Sequence, residues 1–250
     1  MNIIIPLGGK GERFKKEGFN KPKPLIKVLD KEILFYVIDH LVIHKDDILF
    51  IIYNKDLDGD DFNNIMKNKY PIIHLIKLDK DTKGASETIF IGLDKIMREY
   101  HHHTKSILLD GDTFYTFDII NKYRNIHKNA VFFTKNYEVN PIFSYIKMDD
   151  QNNINDIKEK IKISDNANTG AYGFNDIHIL YNYAKYVVEN NIYFNNECYT
   201  SCIISEMIYK NELFLGIELD IKDVHILGTP EQVITYIHTK SIISTNNSIS

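Results

Sequence analysis

Short apolar runs alternate with amphipathic stretches along most of the chain. Residues 3–7, 48–53, 72–78, 106–109 and 131–134 are rich in Ile, Leu, Val and Phe and are bounded by charge or glycine. That is the pattern of strands buried on both faces. Residues 32–43, 60–66, 86–98 and 117–127 instead carry apolar positions at helical spacing, which predicts helices. Strand and helix alternate over this span, so the pattern predicts a mostly parallel sheet with helices on both faces. The rhythm changes after Pro141. Strands are predicted at 143–148, 154–157 and 169–174, then helices at 177–189 and 197–209, short strands at 213–218 and 224–227, and a last helix from Pro230. No linker and no repeat of 20–50 residues divides the chain. One α/β domain over residues 1–240 is expected, regular over 1–135 and elaborated over 136–240, with a small polar tail frayed over 241–250.

Composition adds exclusions. The 250 residues are 44% hydrophobic and 26% charged, the balance of an ordinary globular protein. A net charge of −4 gives no general electrostatic footprint for nucleic acid or an anionic membrane. No stretch approaches 18 uncharged apolar residues, and the first residues lack the basic and long apolar regions of a secretory signal. A cytoplasmic protein with neither nucleic acid nor membrane as partner is expected. Two cysteines, Cys198 and Cys202, are too few for a disulfide framework and read as helix core. The run His101, His102, His103 reads as a solvated turn, because successive side chains do not converge on one ion.

The strongest local signal follows the first predicted strand: PLGGKGERF at 6–14, then KPKPLI at 21–26. Gly8, Gly9 and Gly11 lack Cβ atoms, so this backbone can curl and offer N–H groups to an anion at close range. Arg13 and Lys23 add positive charge ten residues apart, while Pro22 and Pro24 stiffen the returning chain. The loop is not the dinucleotide-binding GxGxxG, because Phe14 stands where a third glycine belongs. Nor is it a Walker A loop, because no GK[ST] follows. A solvated glycine turn is the bland alternative, and it leaves the strand before the loop and the braced basic segment after it unexplained.

A second signal is acidic. Asp110 and Asp112 flank Gly111 at the end of a predicted strand, and open α/β sheets bind ligands at the carboxyl ends of strands. Two carboxylates beside a phosphate loop repel an anionic substrate unless a divalent cation lies between, and Mg²⁺ suits oxygen ligands shared with phosphate. A turn or helix-cap aspartate is the structural alternative.

LGGKGERF and KPKPLI resemble the GxGxR and KPL signature of the sugar-phosphate nucleotidyltransferases, also called NDP-sugar pyrophosphorylases. Later segments fall in that family's order: DTKGASET at 81–88, LLDGDTF at 108–114, EK at 159–160, NTGAYGF at 168–174 and GTPEQV at 228–233. The wording NKPKPLI and TKGASET is most similar to members from capsule and surface-glycan gene clusters, which include CTP-dependent enzymes activating phosphoglutamine. The resemblance implies a single Rossmann-like (GT-A-like) α/β domain, with a mostly parallel mixed central sheet flanked by helices. Residues 1–135 would bind nucleotide and 136–240 the acceptor. It implies a Mg²⁺-dependent enzyme that moves a nucleoside monophosphate from a nucleoside triphosphate to a phosphorylated small molecule, releasing pyrophosphate. Relatives are often dimers or larger, so a homo-oligomer is compatible with it.

By the same resemblance Arg13 and Lys23 are catalytic, Leu7, Gly8, Gly9, Gly11, Gly84 and Asp110 lie along the nucleotide, and Asp112 holds the metal. The family's second metal ligand falls at Ile226, which cannot bind Mg²⁺. Asp223 and His225 are neighbours on one strand face; Asp223 is the harder oxygen donor, and a structural role is its alternative. Glu87, aligned through Gly84, stands where thymidylyl- and uridylyltransferases often carry Gln to read the base. An ionised Glu only accepts hydrogen bonds, which suits the exocyclic amine of cytosine and favours CTP. An ordinary first-turn glutamate on the helix dipole is the alternative. Lys160 is implied to hold the acceptor phosphate, Asn168, Thr169 and Gly170 to leave room for the acceptor, and Glu197 and Tyr199 to open a helix that closes over it. Two rival readings are a glycosyltransferase of similar architecture and a non-catalytic nucleotide-binding regulator. The triphosphate loop argues against the first, and the carboxylate missing at residue 226 keeps the second open.

Overall fold

The computed structural model describes residues 1–247, with side chains to residue 241. In chain order the first half carries β1 (Asn2–Leu7), α1 (Glu12–Lys16), the hairpin β2 (Lys27–Val28) and β3 (Lys31–Glu32), α2 (Ile33–Asp39) and β4 (Ile48–Asn54). There follow α3 (Phe62–Lys69), β5 (His74–Leu78), α4 (Ala85–Glu99), β6 (Ser106–Leu109), β7 (Thr113–Tyr115), α5 (Ile119–Arg124) and β8 (Asn129–Lys135). The second half carries β9 (Ser144–Met148), β10 (Ile154–Glu159), β11 (Asn166–Phe174), α6 (Ile177–Glu189), α7 (Thr200–Tyr209), β12 (Phe214–Glu218), β13 (Val224–Ile226) and α8 (Pro230–Asn247).

Among the described residues nine strands form one mixed sheet. β5, β4, β1 and β6 are parallel neighbours, the expected product of the strand–helix alternation. β1 is apolar throughout because both its faces are covered: Ile3, Ile5 and Leu7 pack with α2, α3 and α5, while Ile4 packs with α4, α6 and α7. Helix α4 shows the pattern at work. Ile89, Leu93 and Ile96, spaced four and three apart, are wholly buried against the sheet, and Lys95 and Arg98 face outward.

The elaboration after β8 is antiparallel. β11 pairs with β8 along one edge, and β8 pairs in parallel with β12. Along its other edge β11 meets two strands in succession: Ala167 faces Tyr145 of β9, and Ala171 faces Leu109, the last residue of β6. The sheet therefore forks, and residues 168–170 lie opposite the point where β6 stops. β10 extends the second branch.

Several boundaries differ from the sequence pattern. The strand expected from residue 72 begins at His74, with Ile72 left exposed. The helix expected over 197–209 begins at Thr200, so buried Cys198 precedes it. The strand expected at 224–227 is half of a two-stranded ribbon with β7, an element too short to have shown in the pattern. Helix α8 runs to Asn247, past residue 240 where fraying was expected; residues 248–250 lie outside the described residues. Among the described residues no helix is long and apolar enough to cross a membrane.

Candidate active site

At the carboxyl end of β1, Leu7 is buried and residues 8–11 turn out of the sheet. Gly8 backs onto the neighbouring turn, where a Cβ would stand 2.8 Å from Thr82 Oγ1, and its carbonyl accepts from Asn54 Nδ2 at 3.2 Å. Gly9 faces open space, and Gly11 adopts the left-handed conformation that starts α1. Phe14 plugs the core beneath that short helix, which leaves Arg13 exposed above it. Pro22 then leads into a 3₁₀ turn over Lys23–Leu25, anchored by buried Leu25 and Ile26. The turn brings Lys23 back to the sheet edge, where its ammonium is ion-paired and hydrogen-bonded to Asp112 Oδ2. A hollow of about 170 Å³ opens beside the loop, lined by Gly9, Lys10, Lys15, Lys21 and Lys23 with Asp56 and Asp60. A larger one, about 420 Å³, lies behind it around Phe19, Leu25 and Ile65 and contains neither Asp110 nor Asp112.

The two carboxylates leave the end of β6 together. The Asp110 backbone N–H donates to the Gly170 carbonyl at 2.8 Å, tying the strand end to the fork. Gly170 has φ of 85°, and a Cβ there would lie 2.5 Å from Asp110 Oδ2, so only glycine fits. Burial lifts the Asp110 carboxyl well above the ordinary range; the Asp112 charge adds to the rise and Lys23 opposes it. Asp112 is partly buried, and its carbonyl accepts from Leu227 N–H at 2.7 Å.

Asp223 is not brought to this point. Ile226 pairs with Thr113, which sets Asp223 opposite Thr116, roughly 13 Å along the ribbon from Asp112 at ~3.3 Å per residue. There its carboxylate accepts from the Thr116 hydroxyl at 2.8 Å, a structural tie. His225 is no substitute, since its ring packs on Phe114 with centroids 4.6 Å apart. Asp223 closes a 3₁₀ turn ahead of β13 and so lies outside the strand that carries His225.

Glu87 is also engaged locally. One carboxylate oxygen accepts from the Lys83 backbone N–H at 2.7 Å and the other lies 3.3 Å from Lys80 Nζ, so Glu87 ties the first turn of α4 to the segment before Gly84. The same turn is sewn to the start of α7: Ser86 N–H donates to the Cys198 carbonyl and Ser86 Oγ to that of Tyr199.

The opposite wall joins Lys160, Tyr199 and Glu197. Lys160 Nζ donates to the Tyr199 hydroxyl at 2.6 Å, and that hydroxyl donates to Glu197. Burial lifts the Tyr199 phenol well above its ordinary range, Glu197 adds to the rise and the Arg13 charge opposes it. Behind Lys160, Glu159 accepts from Ser201 at 2.8 Å, and burial raises its pKa.

Asn168 and Thr169 face inward. Asn168 spends both amide hydrogens on Ser144 and Tyr172 and its oxygen on the Gly170 N–H. Thr169 donates to the Phe132 carbonyl at 3.0 Å, while Tyr115 donates to the Thr169 carbonyl at 2.7 Å. Both residues hold the kink that positions Gly170; their side chains do not face the cleft. Sequence reading missed Ser201 and Gln232, the latter within a quoted segment but carrying no signal of its own.

A glycine loop, a basic turn and paired carboxylates at the carboxyl edge of a forked α/β sheet define a phosphate-handling α/β protein. The profile of the Nucleotidyl transferase family matches residues 2–210, and the chain belongs to that family. It is 29% identical over 177 residues to the bifunctional protein GlmU of Methanocaldococcus jannaschii, covering 70% of this chain. The matched stretch spans only 40% of that relative's length. Among solved structures it superposes on a nucleoside-diphosphate-sugar pyrophosphorylase from Vibrio cholerae RC9 with a TM-score of 0.80, at 18% identity, covering 94% of this chain and 99% of that one. CTP:phosphocholine cytidylyltransferase from Streptococcus pneumoniae superposes with a TM-score of 0.70 at 15% identity, covering 95% and 97%. Likeness at these identities establishes the fold.

Proposed function

We propose that this chain transfers the nucleoside monophosphate of a nucleoside triphosphate to a phosphorylated small molecule and releases pyrophosphate. The pairing of Lys23 with Asp112 carries the reading, because a cation of the signature loop and a carboxylate of the strand end, 89 residues apart, meet at the sheet edge. An acceptor phosphate oxygen forms the new bond to the α-phosphorus. The bond from that phosphorus to the oxygen bridging to the β-phosphate breaks, and the departing pyrophosphate keeps the electron pair. The acceptor is already an anionic nucleophile at neutral pH, so positioning and charge stabilisation supply the catalysis.

In this reading residues 8–11 and Arg13 hold the β- and γ-phosphates, next to the lysine-lined hollow. Lys23 faces charge developing at the α-phosphoryl group, and Lys160 with Tyr199 steers the acceptor phosphate. Asp112, partly exposed and charge-balanced by Lys23 in the free protein, fits a site for Mg²⁺, with Asp110 behind it. Bound there, the cation supplies charge neutralisation between two anionic reactants.

CTP is the proposed donor. The acceptor-only carboxylate of Glu87 supports it, on condition that Glu87 leaves the Lys83 N–H to meet the base. The named substrate of the pneumococcal neighbour is consistent with it. A phosphosugar or phosphoglutamine-type acceptor, feeding capsule or surface-glycan synthesis, is proposed from the wording of residues 20–26 and 82–88.

Thermal unfolding with CTP, UTP, dTTP, GTP and ATP, each with and without Mg²⁺, tests the reading without knowledge of the acceptor. A ligand at 100 times its Kd adds roughly 2.7 kcal/mol, or about 5–10 °C here. A Mg²⁺-dependent rise with CTP ahead of the others is expected. Stabilisation by an NDP-sugar and by no triphosphate would move the chain to the glycosyltransferase reading.

A further inference from the structure

The first turn of α8 reaches back to the carboxylates. Thr229 caps the helix, its hydroxyl accepting from the Gln232 backbone N–H at 3.2 Å. The Gln232 side chain, free of the capping task, turns inward, and its Oε1 is buried with no hydrogen-bond partner among the described residues. A buried carbonyl oxygen left unpaired costs stability unless something else occupies it. Gly228 shows where that oxygen is aimed. A Cβ on Gly228 would stand 3.1 Å from Gln232 Oε1 and 3.0 Å from Asp112 Oδ2. The two oxygens therefore face the same small space, which the missing side chain of Gly228 leaves open. Neither Ile226 nor Leu227, the residues beside it, offers an oxygen side chain.

We propose that Gln232 Oε1 is the second protein oxygen of the cation site, opposite Asp112. A neutral amide oxygen and one carboxylate form a hard donor pair of low charge, which suits Mg²⁺ when phosphate oxygens complete the shell. The pair also explains how a chain with Ile226 and with Asp223 drawn away to Thr116 can keep a cation beside Asp112. This inference rests on the nucleotidyl-transfer reading above.

The test is direct binding of Mn²⁺ with α,β-methylene CTP, a non-reacting analogue, followed by EPR of the bound metal. The metal-free analogue is titrated alongside. Wild type is expected to bind the analogue more tightly with Mn²⁺ than without. Gln232→Leu should weaken Mn²⁺-dependent binding about tenfold and leave metal-free binding within twofold. Gln232→Glu should tighten the metal-dependent binding. Gln232→Leu should also raise the Tm of the metal-free protein, because the orphaned oxygen is gone and the backbone cap at Thr229 is untouched. Equal losses with and without Mn²⁺ would make Gln232 a nucleotide contact and overturn the proposal. So would weaker Mn²⁺ binding by Gln232→Glu, which would mean that the amide NH₂ steadies Asp112 instead. If wild type shows no metal dependence at all, the parent reading of the site falls with it, an outcome distinct from a variant that matches a metal-dependent wild type.

Discussion

Lys23 is placed by its neighbours: Pro22 sets the turn, Leu25 and Ile26 anchor it, and the ammonium lands on Asp112. A positive charge fixed where negative charge develops is worth about 3 kcal/mol in the transition state. Lys23→Ala should therefore lower kcat for pyrophosphate release at least 10²-fold while its far-UV CD spectrum stays that of wild type. Near-full turnover would remove Lys23 from the mechanism. Gly170 makes a different demand, since its φ of 85° and the Asp110 carboxylate both exclude a side chain. Gly170→Ala should cost about 2 kcal/mol or more in urea unfolding and lower turnover by displacing Asp110. An unchanged midpoint would mean that the kink relaxes freely. Glu87→Gln should shift preference from CTP towards UTP if the carboxylate reads the base. An unaltered CTP to UTP ratio, with a small loss of stability from the broken bond, would leave Glu87 as the structural tie to the Lys83 N–H that it is in the free protein.

At the scale of elements, the joint between α5 and the start of β4 carries a pH prediction. Arg124 grips the Asp47 carboxylate with two hydrogen bonds, of 3.1 and 2.7 Å, and the carboxylate side chain is fully buried. Burial alone would raise its pKa, but the Arg124 bonds, the His44 N–H and the N-terminal ammonium outweigh it and hold the group below its ordinary value. A depressed folded pKa stabilises the protein above the unfolded value near 3.9, and the gain is lost as pH falls through the folded value. Asp47→Ala should thus cost about 3 kcal/mol at pH 7. The gap to wild type in chemical denaturation should narrow below about pH 4, and a gap that is constant with pH would refute the pairing. Elements of this kind divide sharply in legibility. β1, β4 and α4 could be read from the sequence because one or both faces are apolar at a fixed period. Strand β7 could not, being three residues long, and without it neither the partner of β13 nor the true position of Asp223 could be seen.

Over the whole molecule, the fork in the sheet builds the cleft. β6 and β9 share one edge of β11, so the strand carrying Asp110 and Asp112 stops where the branch carrying Lys160 begins. Sequence order could announce the parts, since the loop, the acidic turn and the EK pair each carry a local pattern. It could not announce the fork, which depends on β11 pairing with three strands, β6, β8 and β9. Nor could it show that Asn168 and Thr169 turn inward, because their partners Ser144 and Phe132 lie 24 and 37 residues away in the chain. The proposed reaction assigns the two sides of the cleft to two substrates, and position-labelled triphosphate separates it from its rivals most directly. CTP labelled at the α- or the γ-phosphate would be incubated with Mg²⁺ and a panel of hexose 1-phosphates, phosphocholine and phosphoglutamine. The account predicts γ-label in pyrophosphate and α-label in a new nucleoside-diphosphate conjugate, with both lost in Lys23→Ala. Label that stays in intact CTP across the panel, while an NDP-sugar is consumed with release of free NDP, would contradict it.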